Sequence, residues 1–201
     1  MSVGTLMFRN ESASVPRLAV FRKSYERPEL GLVAWQVVVL ARLGTGVINV
    51  PDEMSVFVNT GEDPASGSRT KQISFNTTSA HFRVKSVLSD DQRVSVPDLE
   101  LITRQEVVDE IHITNGWRRS VWGHIQQAGR DLFSPQLIIP GETLLADVRP
   151  GFFVAHVNDF VGVGTALMSN QSLTTGAVEM ELGQTLIVKG SRMSGFSLEV
   201  Q

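Results

Sequence analysis

Apolar and polar residues alternate with a period of two along most of the chain, the spacing that sends successive side chains to opposite faces of a strand. Thr5 to Arg9 and Arg17 to Lys23 alternate in this way, with Ala19 and Phe21 opposing Leu18 and Val20. Asn10 to Pro16, rich in Ser and Glu, joins them, and the pair is expected to form an opening hairpin. Leu32 to Ala41 is almost continuously apolar and Val-rich, which predicts a strand buried on both faces. Val47 to Val50, Ser55 to Val58, Lys71 to Asn76 and Ala80 to Leu88 follow as strands. Asn59 to Thr70, with Gly61, Pro64 and Gly67, is a polar excursion expected to be mobile.

In the second half, Arg93 to Val96 and Leu99 to Ile102 continue the strand pattern across Pro97-Asp98, after a turn at Ser89 to Gln92. Thr103-Arg104-Gln105-Glu106 matches a capping box, so one short helical turn is expected there. Glu110 to Asn115 alternates with Ile111 and Ile113 inward. Asn115-Gly116 then reads as a two-residue hairpin turn leading directly into Trp117 to Gln126, since both residues tolerate positive φ. Ala128 to Pro135 is a loop. Gln136 to Ile139, Thr143 to Val148, Phe152 to Val157, Phe160 to Leu167, Ala177 to Leu182, Thr185 to Lys189 and Gly195 to Val200 complete the strands, with Asn158-Asp159 as a further turn.

About a dozen short strands with regularly spaced turn signals predict an all-β fold. The expected form is a single two-sheet antiparallel β-sandwich, jelly-roll or Ig-like, with at most one short helix. No Gly/Ser or Pro-rich linker divides the chain, so residues 1–201 are read as one domain.

Composition narrows the function. With Lys+Arg 18 and Asp+Glu 21 the net charge is -3, which argues against a nucleic-acid surface spread over the domain. Cys 0 removes disulfides, thiolate metal sites and a cysteine nucleophile together. The N-terminal residues do not read as a secretory signal, and the longest apolar run is too short for a spanning helix, so a cytoplasmic location without membrane association is expected. Sequons at Asn10, Asn76 and Asn170 are read as chance tripeptides. Phosphate loops, metalloprotease helices and nucleophile elbows do not occur, and no enzymatic activity, cofactor or metal is expected.

Candidate chemistry concentrates in Trp117 to His124. On a strand, Arg118, Ser120, Trp122 and His124 share one face, where an indole stacks on a sugar and an arginine offers paired donors to an acid. Without a ligand, the same residues read as one core tryptophan flanked by arginines lying along the surface. Glu110 and His112 face the same way, and a metal would need His81, His124 or His156 to join them. His156 is a candidate strand-end histidine.

The expected function is therefore non-enzymatic association, with itself as a homo-oligomer or with another protein, through edges of low-charge strands. The alternative is a lectin-like module for a glycan or small acidic ligand at Arg118, Ser120, Trp122 and His124. A further alternative is a membrane-active toxin-like protein, with Gly67 to Lys85 as the nearest convertible stretch.

Overall fold

The structure is a computed structural model describing residues 3–24, 31–76, 79–89, 94–103, 109–149, 151–167 and 173–201. All regular structure among these residues is β. In chain order the strands are β1 (Val3–Asn10), β2 (Arg17–Phe21), β3 (Gln36–Val39), β4 (Thr45–Pro51), β5 (Met54–Asn59), β6 (Ile73–Phe75), β7 (Ala80–Leu88), β8 (Ser95–Thr103) and β9 (Glu110–Asn115). They continue as β10 (Val121–Gln127), β11 (Arg130–Asp131), β12 (Gln136–Ile138), β13 (Thr143–Asp147), β14 (Phe152–His156), β15 (Val178–Met180), β16 (Thr185–Ser191) and β17 (Gly195–Val200).

The strands form four sheets rather than the two of a single sandwich. The chain separates into two compact units, the first from Met1–Lys23, Gly31–Asp52 and Pro150–Gln201, the second from Ser24–Leu30 and Glu53–Arg149. Each unit holds one pair of sheets. The physical reason the sequence suggested one sandwich is that a unit built from both ends of the chain leaves no linker to see.

In the first unit, one sheet has the order β17-β16-β1-β4 and the other β15-β14-β2-β3. The sheets face each other through alternating apolar positions: Leu6 and Phe8 of β1 and Leu186 and Val188 of β16 are buried, as are Leu18 and Val20 of β2. A Cβ on Gly46 of β4 would lie 2.8 Å from Leu40 and 3.4 Å from Val38 of β3, so these sheets pack closely at that end. The reverse face of β2, Ala19 and Phe21, is also buried, against Ala34, Ala155, Val157, Val161 and Leu167.

This last cluster explains two corrections. Phe160 to Leu167 makes no strand, only the bridge of Ala166 to Val33, and serves as a cover over β2. Of Leu32 to Ala41, only Gln36–Val39 is a regular strand, and Val39 is exposed. The opening hairpin is corrected too: β1 and β2 lie in different sheets, and β1 pairs with β4 and, in parallel, with β16. Asn10 makes the crossing, its side chain bonding Ser14 O and Ala41 O at 2.8 Å each while accepting from Ser12 N and Oγ.

In the second unit, β11-β10-β5-β6, with β12 also on β10, packs against β13-β9-β7-β8. Phe75 of β6 meets Phe82 of β7 with ring centroids 5.2 Å apart. Gly123 of β10 sits close to its neighbours there, since a Cβ would lie 2.8 Å from the end of Ile138 on the adjacent strand β12 and 3.1 Å from that of Leu144 in the facing sheet. Pro97 is tolerated because β8 is an edge strand.

Asn115-Gly116 is not a two-residue hairpin turn, since β9 and β10 belong to different sheets. The Asn115 side chain instead accepts from Trp117 N and donates to Arg119 O and Ile138 O, closing a crossing between sheets. The strand expected from Trp117 begins only at Val121. A two-residue turn with both φ positive does occur, at Ala128 (φ 54) and Gly129 (φ 73), between β10 and β11. The expected capping box past Thr103, the turn residues 90–92 and the sequon at Asn170 lie outside the described residues.

Candidate functional site

Side chains alternate along β10, so Trp122, His124 and Gln126 share one face and Val121, Gly123 and Ile125 the other. The antiparallel register places Asn59 opposite Trp122, Phe57 opposite His124 and Ser55 opposite Gln126 on β5. Of the four candidate residues, Trp122 and His124 are thus brought onto one face. Arg118 and Ser120 lie in the bend before the strand, with Arg118 exposed.

His124 is 5% exposed and stacks on Phe57, with ring centroids 4.3 Å apart and planes 12° from parallel. The Arg69 guanidinium carbon lies 3.4 Å from the Phe57 centroid. Two planar groups at these distances need opposite faces, so Phe57 is held between a cation and an imidazole. Arg69 Nη2 is fixed in turn by a 2.5 Å bond to Gln72 Oε1.

The imidazole nitrogens are both engaged. Nδ1 lies 3.3 Å and 3.4 Å from the Asp131 carboxylate oxygens, and Nε2 lies 3.4 Å from Asn59 Nδ2. Since a carboxylate accepts and an amide nitrogen donates, the consistent assignment has Nδ1–H donating to Asp131 and Nε2 accepting from Asn59. Asn59 Nδ2 also donates to Pro64 O at 2.7 Å. The chain Asp131, His124, Asn59, Pro64 therefore ties β11, β10, β5 and the 60–70 loop together.

One atom of this network is left over. Asn59 is 8% exposed, yet its Oδ1 is buried without a hydrogen-bond partner among the described residues. The half-buried Trp122, directly opposite, has its indole N–H in the same condition. A buried polar group left unsatisfied costs about 1–3 kcal/mol.

The network lines a cleft of about 440 Å³ whose walls include Phe57, Asn59, Pro64, Arg69, His124 and Asp131. The loop forming one wall folds back on itself, with Thr60 N bonding Ser68 O at 3.1 Å and Thr70 N bonding Val58 O at 3.0 Å. Gly67 (φ 82) makes the return possible, since a Cβ there would stand 2.3 Å from Gly61 N. Phe57, Asn59, Arg69 and Asp131 carried no local signal in the sequence, because register across strands and the fold of the loop assemble them.

The remaining histidines lie elsewhere. His81 of β7 is in register with His112 of β9, with ring centroids 5.8 Å apart. His112 Nε2 is 2.8 Å from Glu110 Oε2, and His81 Nε2 is 2.9 Å from Thr114 Oγ1. Burial holds the His81 pKa below its ordinary value, and the neighbouring His112 and Arg83 add to this. No group of three or more His, Asp or Glu among the described residues could hold a metal ion.

His156, in the first unit, packs on Phe196 at 4.4 Å and contacts Thr174 Oγ1. Burial pushes its pKa down against the pull of Asp159, with Arg192 adding to the lowering. It lines a cleft of about 250 Å³ that Asp159 and Arg192, ion-paired at 3.0 Å, also line.

The class defined by these features is an all-β protein of two sheet pairs, one of which carries a cleft built on a buried polar network. No helix among the described residues is long and apolar enough to cross a membrane. Comparison of the chain with protein-family models, curated proteins and solved structures finds no match.

Proposed function

We propose that the chain is a non-enzymatic binding protein that takes a hydroxyl-bearing ligand, of the glycan kind, into the cleft between β5, β10 and the 60–70 loop. The observation that carries this reading is the buried, unpartnered acceptor of Asn59 beside His124. Trp122, its cross-strand neighbour, carries a buried indole N–H without a partner among the described residues, and a ligand hydroxyl supplies the donor that Asn59 Oδ1 lacks. A general-base role for His124 is disfavoured by the same geometry, because Nε2 is already committed to Asn59 and Nδ1 to Asp131. Titration with mono- and disaccharides, followed through the indole signals of Trp122, tests it. Saturable binding that Asn59→Ala removes supports the reading, and the absence of binding across the panel contradicts it.

A second reading, self-association, is favoured by a different observation. In the first unit β3 (QVVV) and β4 (TGVINVP), consecutive in the chain, each form an edge of their sheet, and neither carries a charge. Uncharged edges leave N–H and C=O rows open to strand addition. Native mass over a concentration series tests this, with Val39→Lys and Val47→Lys expected to shift any oligomer to 22.0 kDa monomer.

A further inference from the structure

A second hollow in the same unit, about 310 Å³, adjoins the other side of the 60–70 loop and is lined by Thr60, Ser68, Arg69, Ser95, Trp117 and Arg119 among others. We propose that it is an oxyanion subsite, which takes the sulfate or phosphate group of an acidic ligand between Arg69 and Arg119. Trp117 forms a fixed floor: it is 5% exposed, and its indole N–H points to Ser95 Oγ at 3.4 Å. The Arg119 guanidinium lies 6.0 Å from that ring and makes no hydrogen bond or ion pair with any described residue. Arg69 is exposed and bonds only the neutral Gln72 among the described residues.

No carboxylate lines the hollow among the described residues, although the chain as a whole carries a net charge of -3. Both described lysines of the same unit are matched, Lys85 to Glu100 at 2.5 Å and Lys71 to Asp98 at 3.3 Å. Two guanidinium groups with no carboxylate partner among the described residues line one hollow together with Ser68, whose hydroxyl has no partner there either, and paired planar donors beside a neutral one are a set that a tetrahedral oxyanion accepts from. A carboxylate has fewer acceptor oxygens for that set.

Arg69 also lines the His124 cleft, so the subsite deepens the reading above by making the ligand an acidic one. Arg119 lines only the second hollow and separates the two claims. The test uses sodium sulfate, sodium phosphate and sodium acetate at ionic strength held constant with chloride, followed by the indole N–H resonance of Trp117 and the Nε–H of Arg119. Sulfate or phosphate should shift both saturably while Trp122 stays in place, and Arg119→Gln should weaken the binding by about tenfold or more. Arg119→Lys should recover part of it. Absence of a saturable shift, equal binding of acetate, or unchanged affinity in Arg119→Gln would each overturn the subsite. Loss of neutral saccharide binding alone would instead count against the His124 cleft.

Discussion

Asn10 in the first unit and Asn59 in the second occupy equivalent situations: each ends a strand, each is more than nine-tenths buried, and each ties its strand to the loop that follows. They differ in closure. Asn10 donates twice and accepts twice, from Ser12 N at 2.9 Å and Ser12 Oγ at 2.7 Å, so every hydrogen-bonding position is used inside the protein. Asn59 donates to Pro64 and His124 and leaves Oδ1 empty. A closed network fixes a chain crossing, whereas an open one keeps a cost of about 1–3 kcal/mol that a ligand can remove.

The largest effect expected from this contrast is on stability. Asn10→Ala removes four hydrogen bonds and leaves Ser12 N–H without its acceptor, although Ser14 O keeps its bond from Ser12 Oγ and Ala41 O its bond from Gly44 N, and should lower the free energy of unfolding by about 3 kcal/mol in urea titration. Asn59→Ala removes an unsatisfied acceptor along with its two donated bonds, and its cost should be nearer 1 kcal/mol. Equal losses would erase the distinction between the two residues.

A comparable but opposite effect is expected at Ala128, which holds φ 54 in the turn before Asp131. An L-residue pays about 1–2 kcal/mol in that region, so Ala128→Gly should raise the melting temperature while leaving the cleft intact. A lower melting temperature would show that the turn is held differently.

The smallest effect concerns pH. His81 and His156 both have pKa values held below the ordinary 6.5, mainly by burial. The unfolded chain therefore binds protons more readily, so stability is full above about 6.5, declines as pH falls through that value and levels off once the folded-state histidines are protonated. Because one histidine lies in each unit, His81→Asn and His156→Asn should each flatten part of the decline in a series of urea titrations between pH 7.5 and 5. A profile unchanged in both variants would remove the assignment.

Much of the strand content is legible in local alternation. Ala80–Leu88, Glu110–Asn115 and Gly195–Val200 begin and end where the pattern does, because their side chains alternate between a more buried and a more exposed face. Connections are less legible. Asn115-Gly116 has the composition of a hairpin turn, yet the side chain of Asn115 has more to gain by satisfying Arg119, Ile138 and Trp117 in a crossing between sheets. The actual two-residue turn carries Ala128, which no preference for positive φ would select.

The site divides along the same line. That Trp122 and His124 share a face follows from the period of a strand, but Phe57 and Asn59 join them through register with β5, and Arg69 through the return of a loop. Arg118 and Ser120 fell away because the strand starts at Val121. Register and loop closure depend on pairings distant in sequence, which local periodicity does not encode.

The most direct measurement follows the Trp122 indole N–H and the Asn59 side-chain amide by ¹H–¹⁵N correlation during titration with neutral and sulfated saccharides. The account predicts that both signals move together and saturate with at least one of these ligands, and that Asn59→Ala abolishes the response at Trp122. If Trp122 and Asn59 stay fixed while every saccharide is raised to millimolar concentration, the open acceptor is only a packing defect and the cleft is not a ligand site.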